Sequence, residues 1–472
     1  MKNEKPLIQA LKNFIANEPQ SLHVPGHKNG LLSNLPNEIK RALIYDVTEL
    51  TGLDDFHHPE EVILQAEKLL AQVYKADRSF FLVNGSTVGN LAMIYATCKS
   101  GDTVLVQRNA HKSIFHALQL VGVSPVYLAP VWHETSKTPG YMQTETLQEA
   151  LTRYPDAKAA IFTYPTYYGV TTKDLEEQIK LCHAARIPVL VDEAHGAHLM
   201  VSKKLPPSAL QLGADIVVQS AHKTLPAMTM ASFLHINSSL VSEQKVNHYL
   251  RMLQSSSPSY LLLASLDDAR AFVASYTEID FSYLMEKRQQ LIHSLEALAA
   301  LQIVEVDDPL KLLLRAPGYT GFELKDALEK VHVYVELADA HQVLLILPLL
   351  KHGDSYPFAK LRIRMKEALI YLKESPGTAQ SLSANYEMTT ISRPELSFIE
   401  IEQAKKEWVP YMRAIGRVAA STIIPYPPGI PLFVPGEKIT VAKLSQLEEL
   451  LAIGAIFQGE HRLQEKLIYV IK

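Results

Sequence analysis

The run Asp215-Ile216-Val217-Val218-Gln219-Ser220-Ala221-His222-Lys223-Thr224 decides how this chain is read. An apolar, β-branched stretch suited to a buried strand ends in Ser-Ala-His and passes directly to a lysine. Upstream, Pro188-Val189-Leu190-Val191-Asp192 has the same build but ends in an aspartate. Continuously apolar strands, rather than alternating ones, are what a parallel sheet covered on both faces requires. In open sheets of that kind ligands sit beyond the carboxyl ends of the strands, which places both residues at one ligand-binding edge.

The wider pattern has the same period. Strands are predicted at 79–83, 103–106, 125–128, 159–163, 188–191 and 215–218, with helices at 113–121, 144–153 and 174–185. After the turn Asn84-Gly85-Ser86-Thr87, a further helix puts Val88, Leu91, Ala92, Tyr95 and Cys98 on one face. This alternation predicts an α/β large domain with a mostly parallel sheet. A helical pattern at 281–301 leads to a smaller α+β region with strands at 302–306, 311–314 and 343–347. Lys360-Leu361-Arg362-Ile363-Arg364 reads as strand-like. A strap at 422–437 carries Pro425, Pro427, Pro428, Pro431 and Pro435, and is expected to be stiff, extended and without regular structure. The expected division is an amino-terminal arm at 1–20, a large domain at 21–285 and a carboxy-terminal region at 286–472.

Composition excludes several classes. The 472 residues are 47% hydrophobic and 20% charged, with a net charge of −4, so no basic surface advertises nucleic acid. The start Met1-Lys2-Asn3-Glu4-Lys5 leads into no apolar signal-like segment, and no greasy stretch approaches membrane-spanning length. Cys98 and Cys182 sit in apolar helical patterns and read as reduced, buried thiols. A cytoplasmic protein is expected.

A lysine amine can form a Schiff base with an aldehyde, and an aspartate beside it can keep a pyridine nitrogen protonated. That pair is what pyridoxal 5'-phosphate (PLP) chemistry asks of a protein. Taken singly, Lys223 is a solvated loop lysine and Asp192 a strand-end cap; the surroundings favour the pair. Gly85-Ser86-Thr87-Val88-Gly89 offers free N–H groups and two hydroxyls at a helix start, a phosphate cup or a plain N-cap. His111, in Arg108-Asn109-Ala110-His111-Lys112-Ser113, follows a strand and can stack on a flat ring. In Asp192-Glu193-Ala194-His195-Gly196-Ala197-His198, the small Ala194 lets a ring lie close to the backbone, with His195 beside it. Ser220 and His222 can reach a phosphate or the reacting carbon. The Asp192-Glu193-Ala194-His195 box also spells a helicase motif, but no glycine is followed by lysine, so the phosphate loop is missing. The His195 and His198 spacing is not H-E-x-x-H, and no metal is expected.

Several motifs, spread in order over nearly the whole chain, carry a resemblance. They are His23-Val24-Pro25-Gly26-His27-Lys28, Leu53-Asp54-Asp55 with His58-Pro59, Asn84-Gly85-Ser86-Thr87, Asn109-Ala110-His111-Lys112-Ser113, Pro165-Thr166-Tyr167, the Asp192 box, Ser220-Ala221-His222-Lys223, Ser257-Pro258-Ser259-Tyr260, and Pro425-Tyr426-Pro427-Pro428-Gly429-Ile430-Pro431 through Pro435-Gly436-Glu437. The chain resembles the bacterial ornithine/lysine/arginine decarboxylases of the aspartate-aminotransferase-like (type I) PLP fold, closest to the short Bacillus-type members.

The resemblance implies that Lys223 is the Schiff-base lysine, that Asp192 pairs with the pyridine nitrogen and that His111 stacks on the ring. Ser86, Thr87, Ser220 and His222 would hold the phosphate, with Ser255 and Ser257 reaching it from a neighbouring subunit. Glu437, with Asp55 or Glu49, would bind the distal cation of the substrate across a dimer interface. No wing domain like that of the large inducible enzymes is present, which implies a homodimer or small assembly. After the aspartate those enzymes often have Ser-Ala-Trp where this chain has Glu193-Ala194-His195. The implied reaction is α-decarboxylation of arginine, lysine or ornithine to agmatine, cadaverine or putrescine, with His222 or Lys223 reprotonating Cα. An aminotransferase, its carboxylate clamp supplied by Arg362 or Arg364, is the nearest rival. A side-chain-cleaving lyase is weaker. A PLP-binding regulator is weaker still, since residues 1–78 show no helix-turn-helix pattern.

Overall fold

The computed structural model describes residues 3–374, 377, 389–425, 430–459 and 461–472. Two compact units emerge, residues 1–97 with 188–278, and residues 98–187 with 279–472.

In the first unit four strands lie in the order Arg78–Leu82, Ser232–Ile236, Ile216–Gln219, Val189–Asp192. Val189–Asp192 runs parallel to Ile216–Gln219, with Asp192 opposite Val218. Ser232–Ile236, which the sequence pattern did not predict, runs antiparallel to both of its neighbours. Two reversals restore direction, so Leu82, Gln219 and Asp192 end at the same edge. The missed strand has a physical reason. Ser232 and His235 interrupt the apolar run, yet both are fully buried. His235 is satisfied by Ser79 Oγ at 2.7 Å and by Gln219 Oε1 at 3.2 Å, partners that no local pattern reveals. Burial drives its imidazole down to about 3, so the ring is neutral.

Helix Gly85–Thr97 covers this sheet at close range. A Cβ at Gly89 would stand 2.8 Å from both Leu82 Cδ1 and Val218 Cγ1, so only glycine allows the approach. The expected arm contains helix Pro6–Ala16, started by its proline and burying Leu7 and Leu11. Leu7 N, one of its orphan amides, donates to Asp267 Oδ2 of helix Tyr260–Ser275 at 3.1 Å.

The second unit holds parallel strands in the order Ala159–Thr163, Thr103–Gln107, Ser124–Leu128, with Ile391–Ser392 antiparallel at the end. A separate antiparallel sheet runs Gln302–Glu305, Lys311–Arg315, Val343–Ile346, Leu337–Ala338. Its core includes Leu312, Leu314, Val343 and Met365. The predicted 281–301 helix is Glu278–Glu296. Lys360 to Arg364 is not strand-like but lies within helix Phe358–Lys373. Positions two apart then diverge by roughly 200° around the axis, so Arg362 and Arg364 do not share a face. The arginines instead donate to the Ser294 and His332 carbonyls.

The strap is more ordered than its prolines suggest. Ile424–Pro425 pairs antiparallel with Phe457–Gln458, an edge position that a proline tolerates. Phe433 is fully buried, and Leu432 N donates to Ile423 O at 2.8 Å. Its Tyr426-Pro427-Pro428-Gly429 segment lies outside the described residues. Among the described residues, no helix is long and apolar enough to cross a membrane.

Candidate active site

At the shared strand edge of the first unit, Asp192 is buried at the end of Val189–Asp192. Its Oδ2 accepts from Asn90 Nδ2 at 2.9 Å, and its Oδ1 from the Ala194 amide at 3.2 Å. Burial pushes this carboxyl upward, while the charge of Lys223 and the two hydrogen bonds oppose the rise. Lys223 sits in the single turn Ala221–Thr224 that follows Ile216–Gln219. Its Nζ lies 3.0 Å from His195 Nε2. The ammonium donates, so His195 presents Nε2 as acceptor and keeps its proton on Nδ1.

Two hydroxyls converge where helix Gly85–Thr97 begins. Ser220 Oγ donates to Ser86 Oγ at 2.8 Å, one from a strand end and one from the first helical turn. Thr87 is exposed beside them. Hydroxyls and a helix amino terminus are chemically suited to an anion. His222 Nδ1 stands 3.1 Å from the Ala231 carbonyl, which can only accept. A neutral His222 therefore has an acceptor at Nε2.

Glu193 turns away from Asp192 into a wholly buried polar network. Its carboxyl accepts from Gln219 Nε2 at 2.7 Å, Ser208 Oγ at 2.7 Å and the Ala209 amide at 2.6 Å. Burial, only partly offset by these bonds, raises its pKa to about 8. Gly196 is required beside it, because a Cβ there would lie 2.5 Å from Glu193 Cγ. Ser255 and Ser257 are exposed. The Ser255 amide donates to Asn84 Oδ1 at 3.1 Å, and its Oγ donates to the Ser257 carbonyl at 3.2 Å.

In the second unit His111 caps helix Lys112–Val121, its Nδ1 accepting from the Ser113 amide. Glu437 is buried and already engaged. Arg108 grips it with Nε to Oε1 and Nη2 to Oε2, both at 2.9 Å, and Lys443 Nζ donates to Oε2 at 2.5 Å. Burial alone would raise this carboxyl, but the two cations outweigh it and hold the group at about 2. Arg108 also donates to the carbonyls of Pro431 and Leu432.

Within their units the structure thus brings together Lys223 with His195 and Ser86 with Ser220. Sequence reasoning missed Asn90, Arg108 and Lys443. Asn90 had a signal, a polar residue one helical turn after Ser86 on an otherwise apolar face. Arg108 had one too, lying two residues beyond the predicted strand 103–106. Lys443 had none.

Residues 5–305 match the family model "Orn/Lys/Arg decarboxylase, major domain", and residues 378–459 match "Orn/Lys/Arg decarboxylase, C-terminal domain". The chain is 44% identical to the uncharacterized protein YaaO of Bacillus subtilis (strain 168), over 98% of each chain. It is 34% identical to an arginine decarboxylase of the same organism, over 100% of this chain and 98% of the other. Its fold matches the crystal structure of the Francisella novicida lysine decarboxylase LdcF with a TM-score of 0.82 at 22% identity, over 100% of this chain and 81% of that one. The fold class is therefore the expected one, an α/β large domain with a mostly parallel sheet and a smaller carboxy-terminal domain. The chain belongs to the Orn/Lys/Arg decarboxylase family of amino-acid carboxy-lyases.

Proposed function

We propose that this protein is a PLP-dependent decarboxylase that removes the α-carboxylate of arginine, lysine or ornithine, giving agmatine, cadaverine or putrescine. The observation that carries the reading is the buried Asp192 and the Lys223 amine at the carboxyl ends of two adjacent parallel strands. Arginine is the first substrate to offer, because a Bacillus subtilis arginine decarboxylase is similar over the full length.

The side chains fit PLP by their chemistry. Asp192 would hold a proton at the pyridine nitrogen, Lys223 would bind the aldehyde, and the Ser86, Thr87 and Ser220 hydroxyls would take the phosphate. Ala194, His195, His222 and His111 are proposed as further cofactor contacts, with Ser255 and Ser257 supplied from a second subunit. When bound, the cofactor supplies the electron sink for charge left at Cα after carbon dioxide departs. Asp192 must be ionised to serve it, and Asn90 and the Ala194 amide favour that form. With Nδ1–H given to the Ala231 carbonyl, His222 in its neutral form has only an acceptor at Nε2, so the Lys223 ammonium is the group proposed to return the proton to Cα. His195 then holds the amine between events. Glu437 is the group proposed to take the distal cation.

A cytoplasmic homodimer is the proposed form, supported by an exposed apolar run at Leu22, Val24, Leu31, Leu32, Leu35 and Ile39. Light scattering tests it; a monomer at working concentration rejects it. The aminotransferase rival has lost its strand-borne arginine pair. The deciding experiment measures carbon dioxide release from each basic amino acid by PLP-loaded protein, with Lys223→Ala as control. Release from at least one, absent in the control, is expected. Release from none, with amino-group transfer to a keto acid instead, would reverse the ranking.

A further inference from the structure

Glu437 poses a charge problem for a cationic ligand. Arg108 and Lys443 together deliver three charge-assisted hydrogen bonds to its two oxygens, two at 2.9 Å and one at 2.5 Å. A carboxylate offers about four acceptor sites, so roughly one remains. The cluster already holds two cations against one anion, in a setting where Glu437 is 6% exposed. Adding a third positive charge to a desolvated site is strongly unfavourable. A substrate ammonium or guanidinium can therefore use this carboxylate only if a resident cation leaves.

The two residents are not equally held. Arg108 is buried, forks onto both carboxylate oxygens and donates two further bonds, to Pro431 O and Leu432 O. Its side chain is 4% exposed and lies over the rings of Phe115 and Tyr127. Among the described residues the Lys443 ammonium hydrogen-bonds one group, Glu437 Oε2, and its side chain is 19% exposed on a flexible stem over Phe433. It also stands in the first turn of helix Val441–Ala452, where the backbone dipole disfavours a cation. Desolvation and the neighbouring Arg108 both work against its charged form, with Glu437 alone supporting it.

We propose that Lys443 is an internal stand-in for the substrate's distal cation, occupying Glu437 in the free protein and swinging out when a basic ligand arrives. The exchange replaces one ammonium with another cation, so the net charge of the cluster does not change and Arg108 stays in place. This rests on Glu437 being the distal-cation site. It makes Lys443 a specificity-determining residue, because every cationic ligand competes with it for the same oxygen.

The test uses calorimetry on the PLP-loaded full chain with diamine and monoamine ligands, which carry no carboxylate to lose. Putrescine, cadaverine and agmatine are compared with butylamine and pentylamine. Lys443→Met keeps the stem packed over Phe433 but removes the charge, and is expected to tighten diamine or agmatine binding about tenfold, leaving the monoamines unchanged. Lys443→Arg, with a guanidinium better matched to a carboxylate, is expected to weaken it. Glu437→Gln should abolish the preference for diamines over monoamines. If Glu437→Gln removes that preference but Lys443→Met does not tighten binding, the stand-in is overturned while the distal site stands. If Glu437→Gln leaves the preference intact, both fall, and carbon dioxide release still judges the decarboxylase reading separately.

Discussion

Asn90 Nδ2 donates to Asp192 Oδ2 at 2.9 Å, linking the helix that begins with the Ser86 hydroxyl to the acid at the end of the neighbouring strand. The bond favours the ionised carboxylate against the upward pressure of burial. Hydrogen bonds to a charged group contribute about 1.5–3 kcal/mol. Asn90→Ala should therefore loosen PLP by about tenfold or more, read as the PLP dissociation constant in equilibrium dialysis. Unaltered PLP affinity would remove Asn90 from the site.

Glu193 should make the fold pH-sensitive. Its folded pKa, raised by burial to about 8, exceeds the ordinary 4.5 of an unfolded chain. Between those values the folded state binds more protons, so stability falls as pH rises through that window. Glu67, raised by burial to about 7 despite Arg78, acts in the same direction over the lower part. Urea denaturation from about pH 5 to about pH 8 should show a decline of a few kcal/mol, flattened in Glu193→Gln. Equal slopes for both proteins would count against a protonated Glu193.

Arg108→Ala should be severely destabilising, since it leaves Glu437 without its fork and frees the Pro431 and Leu432 carbonyls. Breaking a buried pair costs about 3–5 kcal/mol. Faster proteolytic cleavage within residues 422–437 and a lower urea midpoint are expected. Arg108→Lys should rescue little, because an ammonium cannot reproduce the fork. Full rescue by lysine would show that charge alone matters.

Gly89→Ala should lower the melting temperature although alanine is the better helix former by about 1 kcal/mol. The new methyl would meet Leu82 Cδ1 and Val218 Cγ1 at 2.8 Å. Overpacking of that kind costs about 1–3 kcal/mol, which outweighs the propensity gain. A raised melting temperature would mean that the helix can back away from the sheet.

Local pattern carried much of this protein. Apolar runs ending in Asp192 and Ser220 identified buried strands, because burial on both faces leaves a continuous signature in a short window. The helix start at Gly85, with Ser86 behind it, was legible for the same reason. Where two periods compete in a short mixed stretch, pattern failed. Lys360 to Arg364 alternates like a strand but belongs to a helix that buries Met365, Ala368 and Leu372.

By itself, then, the sequence determined the alternating α/β build, the carboxyl-end positions of Asp192, Ser220 and Lys223, and their suitability for one chemistry. Only tertiary structure decided which residues distant in the chain meet within each unit. Ser232–Ile236 inserts antiparallel between Arg78–Leu82 and Ile216–Gln219. Glu437 meets Arg108 across a separation of 329 residues, with Lys443 as a third partner. Periodicity follows from backbone geometry and is written locally. The partner of a buried charge is chosen by which groups the folded chain desolvates together, and that is a property of the whole packing.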